Sequence, residues 1–265
     1  MEATAMRYGR LNKIEIQVAH VVKTCVVKET SRPQKLYVEK WALEQSRREG
    51  IQTPRVISYS FDENEILEME RVPGCSLGYR ITDKSIDAFS AIGEQLARRR
   101  TDHIGYGWIN PATMQGIYLS WLHFLYEYAE TYTAPLVKSK VIDSTIRSRL
   151  LDALIVCDEL GDAPSALVHR DIKPGNIIWG EQGAYLIDWE NVILGDPFYD
   201  LCVYRCRFGT GRRWDALLEP AKPVSKHVET LYLAVALVGL IDFCITYKYG
   251  IRQKSQQLRT IIERL

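Results

Sequence analysis

Residues 167–179 read Leu-Val-His-Arg-Asp-Ile-Lys-Pro-Gly-Asn-Ile-Ile-Trp, and residues 184–190 read Ala-Tyr-Leu-Ile-Asp-Trp-Glu. Apolar residues lead into His169-Arg170-Asp171, Pro174-Gly175 breaks the chain direction, and Asn176 precedes an apolar run that reads as a strand. Ala184–Ile187 is a second short strand, and it ends at Asp188. Asp and Asn residues that merely cap turns would account for D-x-x-x-x-N alone. They do not account for His-x-Asp with the Asn, the flanking strands and a spaced Ile187-Asp188-Trp189.

H-x-D-x-x-x-x-N followed by an Asp after a short hairpin resembles the catalytic segment of the protein-kinase-like superfamily. The resemblance implies phosphoryl transfer, which needs positioning and charge neutralisation more than covalent chemistry. It gives Asp171 the acceptor hydroxyl, as catalytic base, and gives His169 the support of the loop. Mg²⁺ takes hard oxygen ligands, and by the same resemblance these are Asn176 and Asp188, with ATP or GTP as donor. The four residues between Asp171 and Asn176 let both face one cleft, and the hairpin returns Asp188 beside them.

Upstream, Ile14–Val22 and Thr24–Val27 are rich in β-branched residues and read as strands. Ser31 as cap, Pro33 in the first turn and Gly50 at the end bracket a helix. Its apolar face carries Leu36, Val38, Trp41, Ala42 and Leu43, with Arg47, Arg48 and Glu49 expected exposed. Pro54–Phe61 and Glu65–Glu70 read as a hairpin, and Val72-Pro73-Gly74 breaks the pattern. Val26-Val27-Lys28 resembles the strand of the phosphate-contacting lysine, and Glu39 resembles its ion-pair partner, with Glu44 as the alternative. Gly9-Arg10-Leu11-Asn12 is either a phosphate-covering loop or a plain turn. Met69–Val72 resembles the hinge that holds the purine through its main chain, with Glu70 and Val72 as the contacting positions.

Beyond Gly74 the chain reads as helical over Ile86–Arg100, Ile117–Tyr132, Val141–Leu160 and most of the region after Pro197. A β-rich part followed by an α-rich part is α+β logic. The expected architecture is a two-lobed kinase-like fold, with a nucleotide-binding lobe at residues 1–72 and a catalytic and acceptor-binding lobe at 73–265.

Only eleven residues separate Asp188 from Asp200, in Gly195-Asp196-Pro197-Phe198-Tyr199-Asp200-Leu201. Protein kinases place a long activation segment ending in A-P-E at this point. The G-D-P-x-x-D-L pattern is similar instead to the aminoglycoside phosphotransferase and choline kinase family, in which the second Asp, here Asp200, supports the catalytic loop. The resemblance runs from Gly9 to Leu201, and the helices between Gly74 and His169 would wall the acceptor pocket with the C-terminal ones. It implies a small-molecule kinase transferring to an alcohol of an antibiotic or a metabolite. One departure is that His169-Arg170-Asp171-Ile172-Lys173-Pro174 is spelled as in Ser/Thr protein kinases. Lys173 would then reach the γ-phosphate or stay solvated, Arg170 would pair internally, and an atypical protein kinase or a nucleotide-binding pseudokinase are the alternative readings.

Apolar residues make up 46% of the 265 and the net charge is +1, so no global field points to nucleic acid or membrane. The longest strongly apolar stretch, Leu231–Ile241, is shorter than a bilayer span and reads as a buried helix. No apolar leader precedes Arg10, and six scattered cysteines without a metal set suit a reducing, cytoplasmic setting. The aromatic stripe Trp121, Phe124, Tyr128 and Tyr132 is core by spacing, or else a cation-holding pocket with Glu127 and Glu130. From Arg205 to Leu265, eleven Lys/Arg face five Asp/Glu. The cluster Arg205, Arg207, Arg212 and Arg213 argues against a polycationic acceptor and for a neutral or anionic one, unless it is solvated or contacts the nucleotide.

Overall fold

The computed structural model describes residues 5–8, 12–18, 24–31 and 33–265, with side chains from residue 25 onward. Strands β1 (Ala5–Tyr8), β2 (Asn12–Val18) and β3 (Thr24–Thr30) run antiparallel, and helix α1 (Lys35–Arg48) leads to the hairpin β4 (Val56–Phe61) and β5 (Glu65–Glu70). The sheet order is β1-β2-β3-β5-β4, so β3 pairs β5 and carries Val26–Lys28 at its middle. Leu36, Ala42 and Leu43 of α1 are buried against this sheet with Leu67 and Met69.

The start of α1 differs from the expectation. Neither Ser31 nor Pro33 caps it; Gln34 precedes the helix in the left-handed region, without a side-chain cap. The orphan amide of Leu36 is instead taken by the buried Glu65 carboxylate at 2.8 Å, a partner from β5 that no local pattern announces. Glu49 is not exposed either: its side chain is 1% accessible and accepts from His103 Nε2 at 2.9 Å.

At Gly74, with φ of 139°, the chain leaves the sheet, and a Cβ there would meet the Trp179 carbonyl oxygen at 2.5 Å. Only glycine permits both that conformation and that approach. Strand β6 (Cys75–Ser76) is followed by α2 (Asp83–Ala97), which opens on a capping box between Thr82 and Ser85. Strands β7 (Tyr106–Asn110) and β8 (Gln115–Tyr118) then form a hairpin. The sequence reading missed the hairpin and began a helix at Ile117; α3 spans Trp121–Lys138. The glycines decide the hairpin, since a Cβ on Gly116 would lie 2.1 Å from the Tyr106 amide nitrogen. The single helix expected over Val141–Leu160 is α4 (Ser144–Ile155) and a separate 3-10 turn at Asp158–Leu160.

Strands β9 (Ala166–Val168), β10 (Ile177–Gly180), β11 (Gly183–Leu186) and β12 (Ile193–Gly195) frame the catalytic segment. The chain closes with α5 (Phe198–Phe208), α6 (Arg212–Leu218), α7 (Lys226–Tyr247) and α8 (Ile251–Ile262). The antiparallel strand sets and the mainly helical second lobe make the α+β, two-lobed architecture that the sequence implied. Helix α7 is long and apolar enough to cross a membrane, but 67% of its apolar window is buried against α3, α5 and α8. A helix that is hydrophobic all round belongs in a core. A buried polar chain pins it: Trp121 Nε1 donates to Tyr232 Oη at 3.0 Å, and Tyr232 donates to Asp196 at 2.8 Å.

Candidate active site

The catalytic loop is held from below. Asp200, at the start of α5, is 1% exposed, and its carboxylate accepts from the main-chain amides of His169 (3.1 Å) and Arg170 (2.7 Å) and from Arg99 Nη1 (2.8 Å). Arg170 has φ of 63°, a left-handed conformation that costs an ordinary residue about 1–2 kcal/mol. The bond to Asp200 offsets that cost. His169 is fully buried, and burial holds its imidazole below the usual range. The neutral ring donates from Nε2 to Ile187 O (3.0 Å) and accepts at Nδ1 from the Asp171 amide (3.1 Å), so both nitrogens brace the loop.

Asp171 is 6% exposed. Its carboxylate meets Lys173 Nζ at 2.6 Å, Asn176 Nδ2 at 3.0 Å and, from α5, Arg207 Nη1. Asn176 also donates to the Asp171 carbonyl at 3.0 Å, and its own carbonyl accepts from Ile187 at 2.9 Å. That last bond joins the loop to the open end of the β10–β11 hairpin, next to the Ile177–Leu186 pair. Asp188, one residue on, is thereby set beside Asn176.

Asp188 has φ of 68°, the second strained residue of the segment. Its Oδ1 binds Lys28 Nζ at 2.6 Å, and Lys28 binds Glu39 at 2.6 Å. Lys28 is 4% exposed and Glu39 1%. Burial alone would lower the Lys28 ammonium, but the two carboxylates outweigh it and hold the lysine charged. Burial alone would raise Asp188, and the Lys28 charge pulls it below the ordinary carboxylate range. Glu39 is pushed up by burial, and its Oε2 has no partner. Of the two alternatives for the lysine's partner, the structure brings Glu39 to Lys28 and leaves Glu44 on Lys40.

Asp171, Lys173 and Asp188 line a cavity of about 620 Å³, the size of a small-molecule site. Other walls come from α7 and the segment after it, with Leu240, Phe243, Tyr247 and Tyr249. Of the hinge residues, Val72 is 4% exposed, while the Glu70 carboxylate turns away to the Arg55 amide at 2.9 Å. The expected glycine loop at Gly9–Asn12 lies outside the described residues, apart from Asn12 in β2. The aromatic stripe of α3 is core, with Trp121 and Phe124 fully buried, and only Tyr128 of it reaches the cavity. Arg170 pairs internally as expected, over Trp108 and Tyr128 and donating to the Tyr128 hydroxyl.

The sequence reading missed three contacts at this site: Arg99 under Asp200, Arg207 on Asp171, and Lys35 with Glu190 at 3.0 Å. Arg207 carried a signal as part of the basic cluster. The other members of that cluster do different work: Arg205 pairs Glu229, Arg212 pairs Asp83, and the buried Arg213 holds the Gly78, Tyr79 and Arg80 carbonyls.

Among the described residues, Asn176 Nδ2 and Asp188 Oδ1 are bonded, while Asn176 Oδ1 and Asp188 Oδ2 meet no donor. They are hard oxygens of the kind that Mg²⁺ takes, one or two from protein and the rest from water and phosphate. Among the described residues no cluster of three His, Cys, Asp or Glu side chains could cage a metal.

The profile of the phosphotransferase enzyme family (APH) matches residues 23–222. No curated protein sequence matches. A solved thermostable mutant of aminoglycoside phosphotransferase APH(4)-Ia, in its apo form, superposes with a TM-score of 0.79 at 16% identity, over 100% of this chain and 94% of that one. Choline kinase LicA from Streptococcus pneumoniae gives 0.69 at 19% identity, covering 100% and 95%. A putative fructosamine-3-kinase from Thermobifida fusca gives 0.70 at 19% identity, covering 100% and 94%. The fold is thus the kinase-like one, and with the family profile spanning most of the sequence, the chain belongs to the APH phosphotransferase enzyme family and is a small-molecule kinase.

Proposed function

We propose that this protein moves the γ-phosphoryl group of ATP or GTP to a hydroxyl of a small molecule, with Asp171 as the catalytic base. The observation that carries the reading is that Asp171, Lys173 and Asp188 line one cavity, with Asn176 held on Asp171 and Lys28 on Asp188. Asp171 accepts the acceptor proton as the oxygen attacks. His169, Asn176 and Asp200 hold Asp171 at fixed aim, so that little reorganisation remains for the reacting state. Lys28, steadied by Glu39, faces the α- and β-phosphates, and Lys173 is set to follow the γ-phosphoryl. Asn176 and Asp188 hold Mg²⁺, which when bound neutralises the phosphate charge. The main chain of Glu70–Val72 cradles the purine, and the lobe boundary falls at residues 72 and 73.

A solved APH(4)-Ia structure of this fold is a ternary complex with AMP-PNP and hygromycin B, which supports a nucleotide donor and a compact acceptor here. Free thiols throughout the described chain suit a cytosolic setting. The test is nucleotide turnover with Mg²⁺ and a panel of alcohols, wild type against Asp171→Asn. Removal of a general base lowers turnover by about 10²–10⁴-fold, with nucleotide affinity kept. Equal turnover in the two proteins would remove Asp171 from its role.

A further inference from the structure

Helix α5 touches the catalytic loop twice. Asp200 takes the His169 and Arg170 amides, and Arg207, seven residues later on the same face, places Nη1 on Asp171 Oδ1. Arg207 is therefore adjacent to the atom that receives the acceptor proton. Among the described residues its only carboxylate partner is Asp171.

The carboxylates lining the cavity are all engaged by cations: Asp171 by Lys173 and Arg207, Asp188 by Lys28, and Glu190 by Lys35. The lining cations are not balanced in the same way. Arg170 rests on Trp108 and Tyr128, and Lys254 donates to the Cys206 carbonyl at 2.6 Å, with no carboxylate on either among the described residues. Once Asp171 turns to an acceptor hydroxyl, Arg207 loses part of its only counter-charge while standing beside that hydroxyl. Guanidinium donors in a partly buried cleft favour carboxylate or phosphate, through two parallel bonds. The adjoining wall is aromatic: the Phe243 and Tyr247 rings pack tilted at 4.4 Å, with Tyr249 edge-on to Phe243 at 6.3 Å. Aromatic faces alone would also hold an ammonium, but among the described residues each carboxylate lining this cavity already has a cation on it.

We propose that the acceptor is an anionic alcohol: an apolar or aromatic body bearing a carboxylate or phosphate within a few bonds of the hydroxyl, with Arg207 as the residue that selects the charge. The proposal rests on the assignment of Asp171 as base. In the step, the bond from the γ-phosphorus to the bridging oxygen breaks and a bond to the acceptor oxygen forms. The hydroxyl proton passes to Asp171, and the nucleoside diphosphate leaves with the bridging electron pair.

A matched probe set tests this. 3-Phenyllactate, 3-phenyllactamide and 1-amino-3-phenylpropan-2-ol share a body and a hydroxyl and differ in charge, and 2-hydroxy-3-phenylpropyl phosphate adds the phosphate arm. Their affinities for the full chain loaded with Mg²⁺ and AMP-PNP would be measured by calorimetry or by competition. A hydrogen-bonded charge is worth about tenfold or more in affinity. The better of the two anions is expected to bind at least about tenfold tighter than the amide, with the amine weakest. Which anion leads names carboxylate or phosphate. Arg207→Gln is expected to erase the advantage without changing AMP-PNP affinity. An amine that binds best, equal affinities (undetectable ones included), or an order untouched by Arg207→Gln would overturn the proposal. A loss of AMP-PNP affinity in that variant would assign Arg207 to the nucleotide and overturn it too. Mg²⁺-dependent ATP hydrolysis by wild type and Asp171→Asn, run without acceptor, separates the two layers. Hydrolysis indifferent to Asp171 brings down the base assignment. Hydrolysis that depends on Asp171, with a cation-first order, brings down only the acceptor class.

Discussion

Replacing Asp200 by Ala should cripple the protein through its fold before its chemistry. The carboxylate and Arg99 are 0% and 4% exposed and 2.8 Å apart. Removing one partner of such a pair leaves a buried charge, at a cost of about 3–5 kcal/mol. Arg99 keeps its bonds to the Leu167 and Pro197 carbonyls, which favours the lower end. The His169 and Arg170 amides lose their acceptors as well, at about 1–3 kcal/mol for a buried group left unpaired. These losses share one network and do not simply add, so about 5 kcal/mol in total is the expectation. Unfolding entropy of about 2.1 cal/mol/K per residue converts that, over 265 residues, to a drop of about 9 °C in Tm. The assay is thermal and urea unfolding of wild type, Asp200→Ala, Arg99→Met and the double variant. The double variant should recover at least about 2 kcal/mol relative to the sum of the singles, because it removes the stranded charge together with its lost partner. A Tm drop under about 3 °C, or strict additivity of the two substitutions, would refute the reasoning.

Two further outcomes follow from the same geometry. Lys28→Met should lower kcat/KM for the nucleotide by about 100-fold or more, the loss of a charged contact to phosphate. It should also change the pH dependence of stability, because Glu39, already pushed up by burial, loses its only cation. A carboxyl whose folded value lies above its ordinary 4.5 is protonated more readily in the native state. Its contribution is therefore present below about pH 4.5 and lost as pH rises through the folded value. Between pH 7 and 5 the variant's deficit relative to wild type should shrink on acidification, and a constant deficit in urea melts would contradict this. Gly239→Ala would put a Cβ 2.1 Å from the Tyr128 hydroxyl, which must move and release Arg170 Nη2, now 3.1 Å away. Overpacking of about 1–3 kcal/mol, offset by about 1 kcal/mol of helix propensity, predicts a small stability change. The acceptor KM should rise several-fold while the nucleotide KM stays, and an unchanged acceptor KM would exclude Tyr128 from the pocket wall.

The catalytic segment was legible because its information is local. His169, Asp171, Asn176 and Asp188 lie within twenty residues, and a loop followed by a hairpin returns them to one place whatever surrounds them. Lys28 and Glu39 were legible by resemblance, since a strand and the next helix carry them at a short separation. The short span from Asp188 to Asp200 likewise told a small-molecule kinase from a protein kinase before any coordinates. What failed locally was the stretch 105–118, where period and aromatic content suit helix and strand alike. There the close approach of Gly116 to Tyr106 decides for a hairpin, and closeness across a chain reversal is invisible in a linear pattern.

Partners distant in sequence belonged wholly to the tertiary structure. Lys28 meets Asp188 across 160 residues, Arg99 meets Asp200 across 101, and Glu65 caps α1 from another strand. Burial makes breaking such a pair costly, because it strands the remaining charge, yet each residue alone reads as one more surface charge. Composition placed a basic cluster near the C-terminus, but only the packing of α5 under the catalytic loop chose Arg207 from it. Sequence by itself determined the reaction type, because the reacting groups must sit at fixed short spacings. The three-dimensional packing decided which charges line the cavity, because charge in a cleft is a property of everything folded around it.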